Sequence, residues 1–180
     1  MRVWDFPLRL FHWGLFVSVS GAIISAKVDV LWVHERFGLS VLGLIVFRIV
    51  WGFLGGHYAR FRQFLAGPQL AFQEMKLLLK ATPKSSPKSD VKAKAGHSAL
   101  GSYAVLGLLG IPLFMAISGT MSNDDILFDG PLAHLLPDGS DGATIAHRIG
   151  EKFLYIILFL HFSAIIIYKF KKKRNLTKRW

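Results

Sequence analysis

The chain has 180 residues, 52% of them hydrophobic, no cysteine and a formal net charge of +11. Charged residues make up 18% of it, below the usual quarter, so a chain of one-domain length has too little polar surface to cover a water-soluble globule and reads as a membrane protein. The lack of cysteine excludes disulfide frameworks, thiolate zinc sites, Cys-held iron–sulfur clusters and the CxxCH attachment of c-type haem.

Four apolar spans are expected, at about 8–28, 34–55, 97–121 and 144–170. At 1.5 Å of rise per residue each crosses a hydrocarbon core of about 30 Å. A secretory leader competes for the first span, because Arg2 and Arg9 precede an apolar run ending in the small residues of IISAK; the His12–Trp13 pair inside that run is foreign to a cleaved leader. Between the second and third spans lies a polar segment, 56–96. Its PQLAFQEMKLLLK stretch has the pattern of a short amphipathic helix on the membrane surface, and PKSSPKSDVKAKAG has the composition of a flexible linker. The third and fourth spans are joined by a loop, 122–143, carrying Asp124, Asp125, Asp129, Asp138 and Asp141 and no Lys or Arg.

The basic residues orient these spans. Arg2 and Arg9 lie at the N-terminus; Arg60, Arg62, Lys76, Lys80, Lys84, Lys88, Lys92 and Lys94 lie in the central segment; Lys169, Lys171, Lys172, Lys173, Arg174, Lys178 and Arg179 end the chain. Only Lys27, Arg36, Arg148 and Lys152 fall on the opposite side, with Arg48 inside the second span. By the positive-inside rule both termini and the 56–96 segment are cytoplasmic. The fold class is therefore an all-α bundle of four transmembrane helices in a single domain. The positive charge reports orientation, and a nucleic-acid role is excluded because the basic tail offers no folded reader. The acidic loop 124–141 is either a solvated connection or a docking face for a basic partner.

Histidine is costly inside a membrane helix and commonly pairs, binds a ligand or relays protons there. With alternating topology, His12 near the start of the first helix and His161 near the end of the fourth lie toward the cytoplasm. His34 opens the second helix and His147 the fourth, on the other side. These make two level-matched pairs. His147 and His161 are 14 residues apart, about 21 Å of helix axis, and project within about 40° of one face. Two opposed imidazoles from different helices are what a non-covalent haem needs at its axial positions, whereas zinc would need a tetrahedral cluster that the spacing does not offer.

The strings VWDFPLRLFHW, VHERFG, FRIVWGFLGGHYARF, GHSALGSYAVLGLLG, SNDDILFDGPLAH and AHRIGEKFLYIILFLH resemble, in order and over almost the whole chain, the bacterial cytochrome b561 family that includes hydrogenase-type cytochrome b subunits. The resemblance implies a four-helix protein of the bacterial cytoplasmic membrane with two haem b groups, their irons ligated by residues matching His12, His34, His147 and His161. It also implies ubiquinone or menaquinone as membrane substrate and a periplasmic redox protein, a c-type cytochrome or hydrogenase-like enzyme, as partner. The chain departs from the family pattern beside the ligands. Ser98 and Ala99 stand where the family commonly has Asn-Pro, and Arg148 where it often has Glu, so groups that tune the sites differ.

Arg48, 14 residues beyond His34, lies level with the cytoplasmic pair, as a propionate partner or a side chain snorkelling to the headgroups. Arg9, one turn before His12, is a similar candidate. His97 is a possible propionate or quinone contact or a competing ligand, while His57 and His134 fall in surface loops. Trp13 and Phe47 suit porphyrin packing or lipid contact. Gly14, Gly38, Gly43 and Gly107 suit either a bulky macrocycle or close helix packing.

The reading that follows is electron transfer across the membrane between the quinone pool and a periplasmic partner. The alternatives are a self-contained superoxide or quinone oxidoreductase and, from another class, a non-haem membrane anchor or small transporter. No nucleotide-binding fingerprint is present.

Overall fold

A computed structural model of the chain describes residues 6–56, 60, 61, 69, 70, 72, 76, 99–123, 129–135 and 140–171. Four helices dominate: α1 (Phe6–Lys27), α2 (Leu31–Leu54), α3 (Ala99–Thr120) and α4 (Ser140–Lys171). All four are long and apolar enough to cross a membrane. Among the described residues there is no strand, only an isolated antiparallel bridge between Asn123 and Asp129. The surface is correspondingly greasy: Phe6, Leu54 and Phe159 are 76%, 77% and 71% exposed, which suits hydrocarbon and not water.

Helix α1 ends on Lys27, whose charge complements the carbonyl end of the helix. The chain reverses within three residues, with Asp29 in the left-handed region at φ 55°, a conformation that aspartate tolerates better than most residues. So short a connection forces α2 back antiparallel against α1. α2 packs in turn on α3, and α3 on α4.

On α2 the residues His34, Gly38, Val41, Ile45, Arg48 and Gly52 follow one another at steps of four and three. That rhythm keeps them on one stripe, and Val41, Ile45, Arg48 and Gly52 are buried. Val41, Ile45 and Ala116 form the core, with Leu15, Val19, Leu42, Ile49 and Leu113 packed against them. This apolar layer lies between the two levels at which the histidines sit. On α4 the same rhythm runs through His147, Gly150, Leu154, Ile157 and His161. Added Cβ atoms show how closely that stripe meets α3: one on Gly107 would lie 2.7 Å from Ile157, and one on Gly150 would lie 3.0 Å from Met115.

The far end of α3 is tied to the loop beyond it. Gly130 N–H donates to the Ser122 carbonyl at 2.8 Å and Leu132 N–H to the Thr120 carbonyl at 2.8 Å. A Cβ on Gly130 would strike both carbonyls, so the close approach requires glycine. A single turn of 3-10 helix, Ala133–Leu135, follows.

Candidate functional site

His34 lies in the first turn of α2, but His147 lies two turns inside α4, which begins at Ser140 and not at the histidine. The two imidazoles face one another across the bundle with ring centres 6.0 Å apart and planes at 89°. A metal–imidazole bond of about 2.0 Å on each side of one ion puts the nitrogens about 4 Å apart and the ring centres roughly 6 Å apart. The observed spacing fits an ion held from both sides.

Each ring is anchored by a neighbouring helix. His34 Nδ1 lies 2.8 Å from the Ala22 carbonyl of α1, and His147 Nδ1 lies 2.9 Å from the Met115 carbonyl of α3. A carbonyl only accepts, so Nδ1 carries a proton in both rings, and in a neutral imidazole so held Nε2 keeps its lone pair. Imidazoles that bind metals are typically oriented in this way. The Ser118 hydroxyl adds a second contact to His147 Nδ1 at 3.3 Å while donating to the Met115 carbonyl at 3.1 Å. Gly119 gives the ring its room, since a Cβ there would lie 3.0 Å from His147 Cε1.

At the other level stand His12 of α1 and His161 of α4. Both rings are partly buried. Arg9, one turn before His12, has a buried Nε with no hydrogen-bond partner among the described residues. Such an atom calls for an acceptor, and an anionic group suits it. Arg48 is buried at 6% exposure, with its guanidinium 4.7 Å from the centre of the Phe61 ring. That ring packs against Gly52, where any Cβ would collide with it, and Arg60 Nε donates to the Gly55 carbonyl at 3.0 Å. The chain leaving α2 thus folds back over Arg48.

Of the glycines picked out for a macrocycle, Gly38 and Gly43 have nothing within 4 Å of an added Cβ, while Gly14 and Gly107 meet Leu44 and Ile157. Gly38 lies one turn beyond His34 on the same face, whereas Gly43 lies on the opposite, exposed side. Open space beside Gly38 is therefore space beside the His34–His147 pair. Trp13 is 59% exposed and meets the His12 ring only edge-on, at 6.0 Å between centres; Phe47 stacks on Trp51 at 5.8 Å. His134 is exposed in the 3-10 turn. His97, His57 and Asp124, Asp125 and Asp138 of the acidic loop lie outside the described residues, as does most of the 56–96 segment with its amphipathic stretch. Among the described residues no group of three or more His, Asp or Glu could hold a metal ion.

A family model described as prokaryotic cytochrome b561 matches residues 3–179. The chain belongs to the prokaryotic cytochrome b561 family. It is thus a b-type cytochrome of electron transfer, a multi-pass protein of the bacterial inner membrane that binds haem. Comparison with curated proteins and with solved structures gave no match. For a b561-type cytochrome the donor set fits: two imidazoles with Nδ1 held by carbonyls stand at the spacing that one shared ion requires, with Gly119 beside His147.

Sequence reading missed several of the residues that hold the site. Ser118 and Gly119 appear in the sequence only as two small residues in AISGT, and the Ala22 and Met115 carbonyls have no sequence signature. A polar network one turn beyond His147 was also missed. Lys27 Nζ donates to Glu151 Oε1 at 3.1 Å, and the Tyr155 hydroxyl donates to the same oxygen at 2.9 Å.

Proposed function

We propose that this cytochrome holds two b-type haems, one at each level, and carries electrons across the membrane between the quinone pool and a redox protein on the periplasmic side. The observation that carries the reading is the His34–His147 pair, 6.0 Å apart, with both Nδ1 atoms spent on carbonyls.

When bound, haem supplies one-electron chemistry between ferric and ferrous iron. His34 and His147 would hold one haem through Nε2, and His12 and His161 would hold the other. Arg9 and Arg48 would bind the haem propionates at the cytoplasmic level through charge-assisted hydrogen bonds, and His97 would be a further propionate or quinone contact there. Val41, Ile45 and Ala116 exclude water from the space between the levels, so ions do not follow the electrons.

Both termini and residues 56–96 are cytoplasmic on this reading, by the distribution of Lys and Arg. The loop 122–143 is periplasmic, and its aspartates give a basic partner, a c-type cytochrome or hydrogenase-like enzyme, a complementary docking face. Quinone or quinol is the substrate in the membrane.

The test is haem content per chain with a histidine series. His34→Ala or His147→Ala should each remove one haem and leave the other. His12→Ala or His161→Ala should each remove the second. Loss of the same haem from His12→Ala and His147→Ala would overturn the pairing, and a purified protein without reducible haem bands would overturn the whole reading. Fast oxidation of the reduced protein by superoxide or quinone alone, with no faster oxidation by a periplasmic cytochrome, would favour a self-contained oxidoreductase over a relay.

A further inference from the structure

Glu151 is a carboxylate four residues beyond His147 on α4, about 6 Å further along the helix axis and on the same side of it. An ionisable group so placed in a membrane helix is expensive and is normally retained for a function, with a named partner. Its partners are Lys27 of α1, at 3.1 Å, and the Tyr155 hydroxyl, at 2.9 Å. The Lys27 ammonium in turn lies 5.7 Å from the Tyr155 ring centre. Two side chains thus fix one carboxylate oxygen. That carboxylate stands one helical turn from His147, while Arg148 and Lys152 beside it are exposed.

A fixed negative charge near an iron centre favours ferric over ferrous iron, and the effect grows where the dielectric is low. A purely structural role is the competing account, in which the ion pair only ties α1 to α4. The side chains of Lys27 and Glu151 are 64% and 40% exposed, and pairs that open add little to stability.

We propose that Glu151, fixed in place by Lys27 and Tyr155, sets the reduction potential of the iron held between His34 and His147. The inference rests on the reading that this pair ligates haem. Lys27 compensates the carboxylate, so removing either charge should move the potential in opposite senses.

The experiment is a spectroelectrochemical titration of the purified holoprotein, with His12→Ala as the background in which the haem of the His34–His147 level is read alone. At a fixed potential Glu151→Gln should raise the ferrous-to-ferric ratio of that haem by about three- to tenfold, tenfold being about 59 mV for a one-electron couple. Lys27→Met should lower the ratio by a similar factor, the double variant should return it toward the starting value, and Lys152→Met should leave it in place. The haem of the His12–His161 level, read in a His34→Ala background, should not move. Unchanged potentials at full haem content would overturn the inference and leave the haem reading standing. So would single variants that shift in the same sense, or haem loss from Glu151→Gln without any shift in Lys27→Met. An unmodified protein without haem defeats the haem reading and this inference with it.

Discussion

The carbonyl oxygens of Ala22 and Met115 orient two imidazoles by accepting hydrogen bonds from their Nδ1–H groups. No sequence motif encodes such contacts, because every residue carries a carbonyl and only the packing of α1 on α2 and α3 on α4 chooses which ones face a ring. The histidines themselves were legible, since His12, His34, His147 and His161 stand at positions where an unpartnered imidazole would be costly. The network around Glu151 was not legible, because Lys27 and Glu151 are 124 residues apart in the chain and meet only through the fold. Ser118 offers a test at this scale. Its hydroxyl supplements a carbonyl that remains, so Ser118→Ala should speed loss of the haem at the His147 level by up to about tenfold, the low end for removal of an outer contact. Transfer to a haem-scavenging protein, followed by absorbance, measures it; an equal effect on both haems would contradict the assignment.

Helices carry the information that survives best in sequence. The steps of four and three through His34, Gly38, Val41, Ile45, Arg48 and Gly52 make α2 a helix with one committed face, and the apolar length of each span is independent of partners. What composition could not divide was the set of glycines: Gly38 and Gly43 look alike in sequence, yet one faces the imidazole gap and the other faces outward. That difference sets a paired prediction. On the proposed two-haem reading, Gly38→Leu should exclude the macrocycle from the His34–His147 level and lower haem content from two per chain toward one, while Gly43→Leu should retain both. Pyridine haemochrome assay against protein concentration reads the outcome, with loss from both variants pointing to general misfolding. Phe61 belongs to the same scale. It packs on Gly52 and covers Arg48 from beyond the end of α2, a contact that helical periodicity cannot anticipate because periodicity stops where the helix does.

The whole molecule is governed by where its charges lie. Seven basic residues follow residue 168 and eight lie between residues 60 and 94, and this asymmetry sets the orientation we propose. Reporter fusions after residue 180 and within 83–96 should be active only as cytoplasmic reporters, and one inserted between residues 136 and 139 only as a periplasmic reporter; the reverse pattern would invert the protein and exchange the sides of its two histidine levels. The apolar layer of Val41, Ile45 and Ala116 then has an electrical meaning. The histidine levels are about 21 Å apart against a hydrocarbon thickness of about 30 Å, so on the proposed two-haem reading an electron passing between them crosses about two thirds of the membrane field. A full charge crossing is worth about 2.3 kcal/mol per 100 mV, so each electron gains or spends about 1.5 kcal/mol per 100 mV. Three hydrocarbon side chains would then act as the insulating film of a capacitor, and the voltage across the cell membrane would become a driving force or a brake on every turnover.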